Sequence, residues 1–213
     1  ARENLGGTEV VVTFLLAVFS VGIGAGSLAC ERLSSRRVEI GLVPLGSIGM
    51  TVFAIDLYLS STAFRAMHDG GLQQFLASPG SWRIVADLAL LAFFAGLYSV
   101  PLYALIQTRA DRTRVARIVA ANNILNAVFM VVASLMAAAL LESGLTIPQL
   151  FLVTGLMNAA VAIYIYRLVP EFLLRFLAWL LTHTLYRVRS IGAERIPLDG
   201  PAVLACNHVS FVD

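Results

Sequence analysis

Five separate runs of apolar residues dominate this chain. Each is about as long as the roughly 20 residues a helix needs to cross the hydrocarbon core of a bilayer. They fall at about 10–30, 38–60, 84–107, 115–141 and 147–166 of the 213 residues. The first run holds no charge, the second holds Glu39 at its very start and Asp56 near its far end, and the third holds Asp87 near its start. None of them alternates apolar and polar residues with a period of two, which sets aside membrane β-strands. Hydrophobic residues make up 59% of the chain and charged residues 13%, whereas an ordinary soluble domain has about 45–50% and about 25%. The expected fold is therefore an all-α polytopic membrane protein over residues 1–168, with a tail of different character after it.

Arginine placement orients the spans. All 15 basic residues are arginine, and the lack of lysine excludes a Walker A loop or a Schiff-base lysine within these residues. Arg32, Arg36 and Arg37 lie between the first two runs, and Arg109, Arg112, Arg114 and Arg117 lie between the third and fourth. Arg167, Arg175, Arg187, Arg189 and Arg195 follow the fifth, which leaves only Arg2, Arg65 and Arg83 for the remaining segments. By the positive-inside rule the first three groups are cytoplasmic. An odd number of spans then places Ala1 outside and everything after Arg167 inside. Cys30 and Cys206 have no metal-ligand or disulfide spacing and fit a reducing compartment, so no metal site is expected.

Several residues within the spans bring more than apolarity. Gly22, Gly24 and Gly26, continued by Ala25 and Ala29, form a small-residue stripe of the kind that lets helix backbones approach closely. They sit inside an apolar helix with no strand before it, so a nucleotide loop is not expected. Gly96 and Pro101 predict a kink in the third span. Asn122 and Asn126 share one helical face, and with Asn123 they serve either as interhelical hydrogen-bonding groups or as the lining of a polar path; with Asn158 they argue against spans that are mere anchors. Asp56 and Asp87 are either acids solvated near the outer membrane face or packed between helices, or groups with a coupling or headgroup-recognition role. Asp56, Asp87, Asn122 and Asn126 are therefore the transport-path candidates. The outer segment 61–82, with an amphipathic stretch at 62–67 and then Gly70-Gly71, carries no recognisable chemistry.

After the fifth span the pattern changes. Phe172, Leu173, Phe176, Leu177, Leu180, Leu181 and Leu185 recur at three- and four-residue spacing, while Glu171, Arg175, Ala178 and Thr182 fall opposite. Pro170 suits a first helical turn, Glu171 and Arg175 form an i,i+4 pair, and Trp179 and Tyr186 are interfacial residue types. An amphipathic helix over 169–189 in the plane of the cytoplasmic leaflet is expected. A sixth span is the rival reading, and Pro170, Glu171 and Arg175 at its start argue against it. Residues 190–213 read as soluble. Asp199-Gly200-Pro201 is turn chemistry, 202–206 is a short buried strand, and Asn207-His208 follows directly. A histidine just past a strand with a carboxylate five residues on can pair a general base with an orienting anion. His208 and Asp213 are the catalytic candidates, although a His-x4-Asp spacing by itself recurs by chance. Without an initiator methionine, and stopping at Asp213, the chain reads as a fragment cut at both ends.

Two resemblances rest on these residues. The string Gly200-Pro-Ala-Val-Leu-Ala-Cys-Asn-His-Val-Ser-Phe-Val-Asp213 resembles the first motif block of the phospholipid/glycerol acyltransferases. That resemblance implies the start of an α/β acyltransferase domain at 190–213, with His208 as general base on the acceptor hydroxyl and Asp213 positioning and polarising it. The string from Gly26 to Arg37, GSLACERLSSRR, followed by Gly41 to Gly46, is similar to the cytoplasmic signature loop of the major facilitator superfamily. Its signature positions are Gly26, Glu31, Arg32, Arg36 and Arg37. It departs from the usual form in having Glu31-Arg32 for Asp-Arg and Ser34-Ser35 for a glycine. The segments 96–107 and 120–126 look like the lysophospholipid transporter group of that superfamily, which makes the five spans the eighth to twelfth helices of a C-terminal half.

Together the resemblances imply a bifunctional protein of the bacterial inner (cytoplasmic) membrane. It would move lysophospholipid across the membrane and re-acylate it, with acyl carrier protein or coenzyme A thioester as donor and no cofactor. The implied partners are membrane lipid, lysophospholipid and acyl carrier protein, and no nucleic acid. Two other readings stay open: an acyltransferase whose helices only anchor it, and a plain transporter with a cytoplasmic tail. Residues 1–213 alone are expected to lack both activities.

Overall fold

A computed structural model of the chain describes residues 5–34, 41–64 and 71–184. Seven helices account for most of them: α1 (Glu9–Leu33), α2 (Leu42–Ala63), α3 (Leu72–Ala77), α4 (Ser81–Arg109), α5 (Val115–Glu142), α6 (Ile147–Leu168) and α7 (Glu171–Thr184). Five of these, α1, α2, α4, α5 and α6, are long and apolar enough to cross a membrane. The ends of those five lie within about four residues of the sequence-based boundaries wherever the chain is described. This follows from the physics of lipid, where a backbone amide has no water to bond and only a continuous helix satisfies it. The described residues are those of an all-α polytopic membrane protein.

Packing centres on α4. Along α1, glycines take the place of side chains. A Cβ on Gly22 would fall 2.6 Å from the Ala89 carbonyl oxygen, and one on Gly26 would overlap the Phe93 carbonyl. Gly96 repeats this from the α4 side, where a Cβ would fall 2.5 Å from the Ile23 carbonyl oxygen. Gly22 and Gly26 of the small-residue stripe thus lie in a close-packed seam between α1 and α4, which run in the same direction, while Gly24 faces away from it. On its other side α4 meets α2 antiparallel: Gly46 lies against Tyr98, and Phe53 stacks on Phe94 with ring centroids 5.6 Å apart. α4 continues through Pro101 to Arg109 as one helix.

Polar side chains join α2 to α6. Asn158 Nδ2 donates to the Ser47 carbonyl at 2.9 Å and to Thr51 Oγ1 at 2.8 Å, and Ser47 Oγ meets the Tyr166 hydroxyl further along α6. Such bonds are worth on the order of 0.6 kcal/mol each in a membrane, with a maximum of about 1.7. Asn158 thus serves as an interhelical hydrogen-bonding group.

The α5–α6 connection shows how local sequence sets a tight turn. Gly144 takes φ +99°, its N–H donates to Leu141 O at 3.0 Å, and the Leu145 N–H reaches back to Leu140 O at 3.1 Å. This is the Schellman arrangement that closes a helix on a left-handed residue. Just beyond it, Gln149 Oε1 accepts the Thr146 N–H at 2.7 Å and opens α6. α5 has no buried residue, and Ile124, Met130 and Leu135 are each about two-thirds exposed.

The packed unit runs to Trp179. Within it α7 is seated on the bundle. Phe172 is buried beside Val43 with Tyr98, Leu102 and Tyr166 around it, and Trp179 packs against Cys30, Leu42 and Leu97. Leu173, Leu174, Leu177, Leu180 and Leu181 are exposed, and Glu171 pairs with Arg175 at 2.9 Å. The helix therefore has three faces: an aromatic one on the bundle, a leucine one turned outward and a polar one. Its 14 described residues cover about 21 Å along the helix axis.

Candidate functional site

Two places bring polar side chains together inside the span region. The first joins α2 to α4 at the end of the bundle away from Arg32 and Arg109. Arg83 Nε donates to Asp56 Oδ2 at 3.3 Å and Arg83 Nη2 donates to Asp56 Oδ1. Ser60 Oγ donates to Asp87 Oδ2 at 2.7 Å. Helical spacing explains the set, since Asp56 and Ser60 are four apart on α2, Arg83 and Asp87 are four apart on α4, and residues four apart share a face. The Asp56–Arg83 pair is partly exposed, but Asp87 is only 3% exposed.

The sequence allowed Asp87 either a solvated position near the membrane surface or a helix-packing one, and protein covers it. Two carboxylates face one guanidinium, so with both acids ionised the cluster holds one excess negative charge. A hydrogen bond to a charged group is worth about 1.5–3 kcal/mol, and that from Ser60 offsets part of the cost of burying Asp87. Sequence reasoning missed Arg83 and Ser60 as members of the cluster, although their i,i+4 relation to Asp87 and Asp56 was the signal that could have found them.

The second place is a cleft between α4 and α5 at the opposite, arginine-rich end, with a volume of about 510 Å³. Ser99, Leu102, Tyr103 and Ile106 line it from α4, and Asn122 and Asn126 from α5. Asn126 Nδ2 donates to the Tyr103 hydroxyl at 2.8 Å. The Ser99 hydroxyl is used within its own helix, donating to Ala95 O at 2.8 Å. The turn that joins the two helices, Ala110 to Arg114, is ordered by Asp111, whose Oδ1 accepts the Thr113 N–H at 3.0 Å and its hydroxyl at 2.9 Å. Those two bonds hold the Asp111 carboxyl below the usual carboxylate range.

The structure therefore splits the transport-path candidates into two groups. Asp56 and Asp87 meet at one end, Asn122 and Asn126 line a cleft at the other, and the two sets do not form one site. Of the signature-loop residues, Gly26 belongs to the α1–α4 seam and Glu31 and Arg32 form the last turn of α1. Arg36, Arg37, His208 and Asp213 lie outside the described residues.

No family model, curated protein or solved structure matched the chain. Fold and site together define a class, a multi-pass α-helical membrane protein with charged and amide side chains placed between its helices.

Proposed function

We propose that this sequence belongs to a protein that moves lysophospholipid across a bacterial inner membrane and re-acylates it on the cytoplasmic side. The observation that carries the reading is the Asn207-His208-x4-Asp213 string, which follows a helix seated on the arginine-rich end of the bundle. Phe172 and Trp179 tie α7 to that end, and its leucine face is free to enter the leaflet. An enzyme meeting its lipid substrate at the surface is served by such a tether. The resemblance of 26–46 to a transporter signature loop supports the transport half.

The chemistry asked of the tail is ordinary acyl transfer. His208 takes the proton from the lysophospholipid hydroxyl as its oxygen attacks the thioester carbonyl, and the thiolate leaves and is protonated. Asp213 holds the imidazole in the tautomer whose reactive nitrogen is free and stabilises the imidazolium. General-base catalysis contributes about 10²–10⁴ in rate. His208→Ala in the protein that carries this sequence is expected to lower acyl transfer by that factor. Membrane insertion and lysophospholipid uptake should be unchanged. Near-normal acyl transfer at equal protein level would refute the assignment.

A further inference from the structure

The α4–α5 cleft and the turn beside it have a chemistry that helix packing does not need. Four guanidiniums, Arg109, Arg112, Arg114 and Arg117, stand on nine consecutive residues against one carboxylate, Asp111. All four arginines are exposed, and none has an ionic partner among the described residues. Asp111 is occupied by Thr113. They stand on and beside the turn that joins the two helices walling the cleft. Ile106 lies three residues before Arg109, about 4.5 Å along α4, and Asn122 lies five residues past Arg117, about 7.5 Å along α5.

Chemistry is graded along this path. On and beside the turn that joins the cleft's two walls are positive charges with no ionic partner among the described residues. In the cleft are the Tyr103 hydroxyl and the Asn122 and Asn126 amides, of which Asn122 makes no hydrogen bond among the described residues. Leu102 and Ile106 share the same wall. Beyond the cleft α5 is exposed and apolar along its whole length. A molecule matching that order has an anionic group, then ester and hydroxyl oxygens, then hydrocarbon.

We propose that this cleft binds an anionic glycerophospholipid from the leaflet on the arginine-rich side. Its phosphate is held by the turn arginines, its glycerol oxygens by Tyr103, Asn122 and Asn126, and its acyl chain lies along α5. A basic residue near a membrane surface contributes attraction on the order of several-fold in affinity for anionic lipid, and arginine adds planar, bidentate recognition of phosphate. The site lies wholly in the membrane half and needs none of the acyl-transfer chemistry proposed for the tail.

The test uses the whole chain in phosphatidylcholine vesicles doped with radiolabelled phosphatidylglycerol. A photoreactive benzophenone side chain is placed at position 106 in the cleft or, for comparison, at position 163 on the exposed face of α6. Labelling at 106 should exceed that at 163 several-fold. It should fall by about tenfold when Arg112→Gln and Arg114→Gln are combined, while labelling at 163 is unchanged. These arginine side chains make no bond within the described fold, so elution as the same monodisperse species checks that the variant is intact. Equal labelling at the two positions, indifference to the arginine substitutions, or equal labelling by radiolabelled phosphatidylcholine would each overturn the proposal.

Discussion

Replacing one glycine of α1 by alanine, and then its neighbour two residues away, separates packing from helix propensity. Gly24 and Gly26 lie in the same apolar helix, and alanine at either position gains about 1 kcal/mol of helix propensity. Their surroundings differ completely. A Cβ on Gly24 meets nothing within 4 Å, whereas a Cβ on Gly26 overlaps the carbonyl oxygen, carbonyl carbon and Cα of Phe93. The obstacle at Gly26 is backbone, which cannot swing aside as a side-chain tip can, so α1 and α4 must part along the seam. Overpacking a tight interface costs about 1–3 kcal/mol, occasionally more, and a backbone obstacle puts Gly26 at the upper end.

Propensity cancels between the two variants, so Gly26→Ala should be the less stable by about 3 kcal/mol. Gly24→Ala should match or exceed the parent. Unfolding midpoints in mixed micelles, followed by helical circular dichroism, measure the difference. If Gly26→Ala cannot be purified, Gly22→Ala has the same sign, with its Cβ 2.6 Å from the Ala89 carbonyl oxygen. Equal midpoints for the variants at 24 and 26 would refute the α1–α4 seam.

Two further outcomes follow from named bonds. Ser60→Ala removes the donor to a buried carboxylate and should destabilise by about 1.5–3 kcal/mol. Thr62→Ala, whose hydroxyl only bonds its own helix at Tyr58 O, should be close to neutral, and equal effects would show that Asp87 is not held by Ser60. At Asp111 the folded carboxyl titrates below its unfolded value of about 3.9. It therefore adds stability above that range, which is lost as pH falls through the folded value. Carbon-detected NMR titration should show the Asp111 midpoint rising in Thr113→Val, which loses one of the two bonds, and a midpoint already at the unfolded value in the parent would contradict the turn geometry.

Much of this architecture could be read from the residues because lipid imposes a one-dimensional rule. A span announces itself by length and apolarity, whatever it packs against, so α1, α4, α5 and α6 begin and end close to where the sequence put them. Partners obey no such rule. That Asn158 bonds Ser47 and Thr51, or that Asn126 finds Tyr103, depends on which helices become neighbours, and apolarity says nothing of that. Asp87 shows the limit most clearly. Its position near a span end suggested water, yet the neighbouring turn of α2 and the core residues Leu57, Ile84 and Val85 close around that end of the bundle. For α7 the period of its apolar residues was evident. That phenylalanine and tryptophan would sit on the bundle and leucine face outward was not, since all three count as apolar in a periodicity.

The two ends of the bundle divide polar chemistry in a way that bears on any transport mechanism. At the Asp56 end, the protein supplies its own partners: Arg83 is spent on Asp56, and Asp87 is covered and bonded to Ser60. At the other end, Arg109, Arg112, Arg114 and Arg117 have no ionic partner among the described residues, and the cleft amides are only partly used. An anion approaching from the arginine-rich side meets attraction that no internal partner cancels, whereas one approaching from the Asp56 side meets an excess of carboxylate. The asymmetry favours binding of an anionic lipid at the arginine-rich end, as proposed. That is also the end on which Phe172 and Trp179 of α7 are seated.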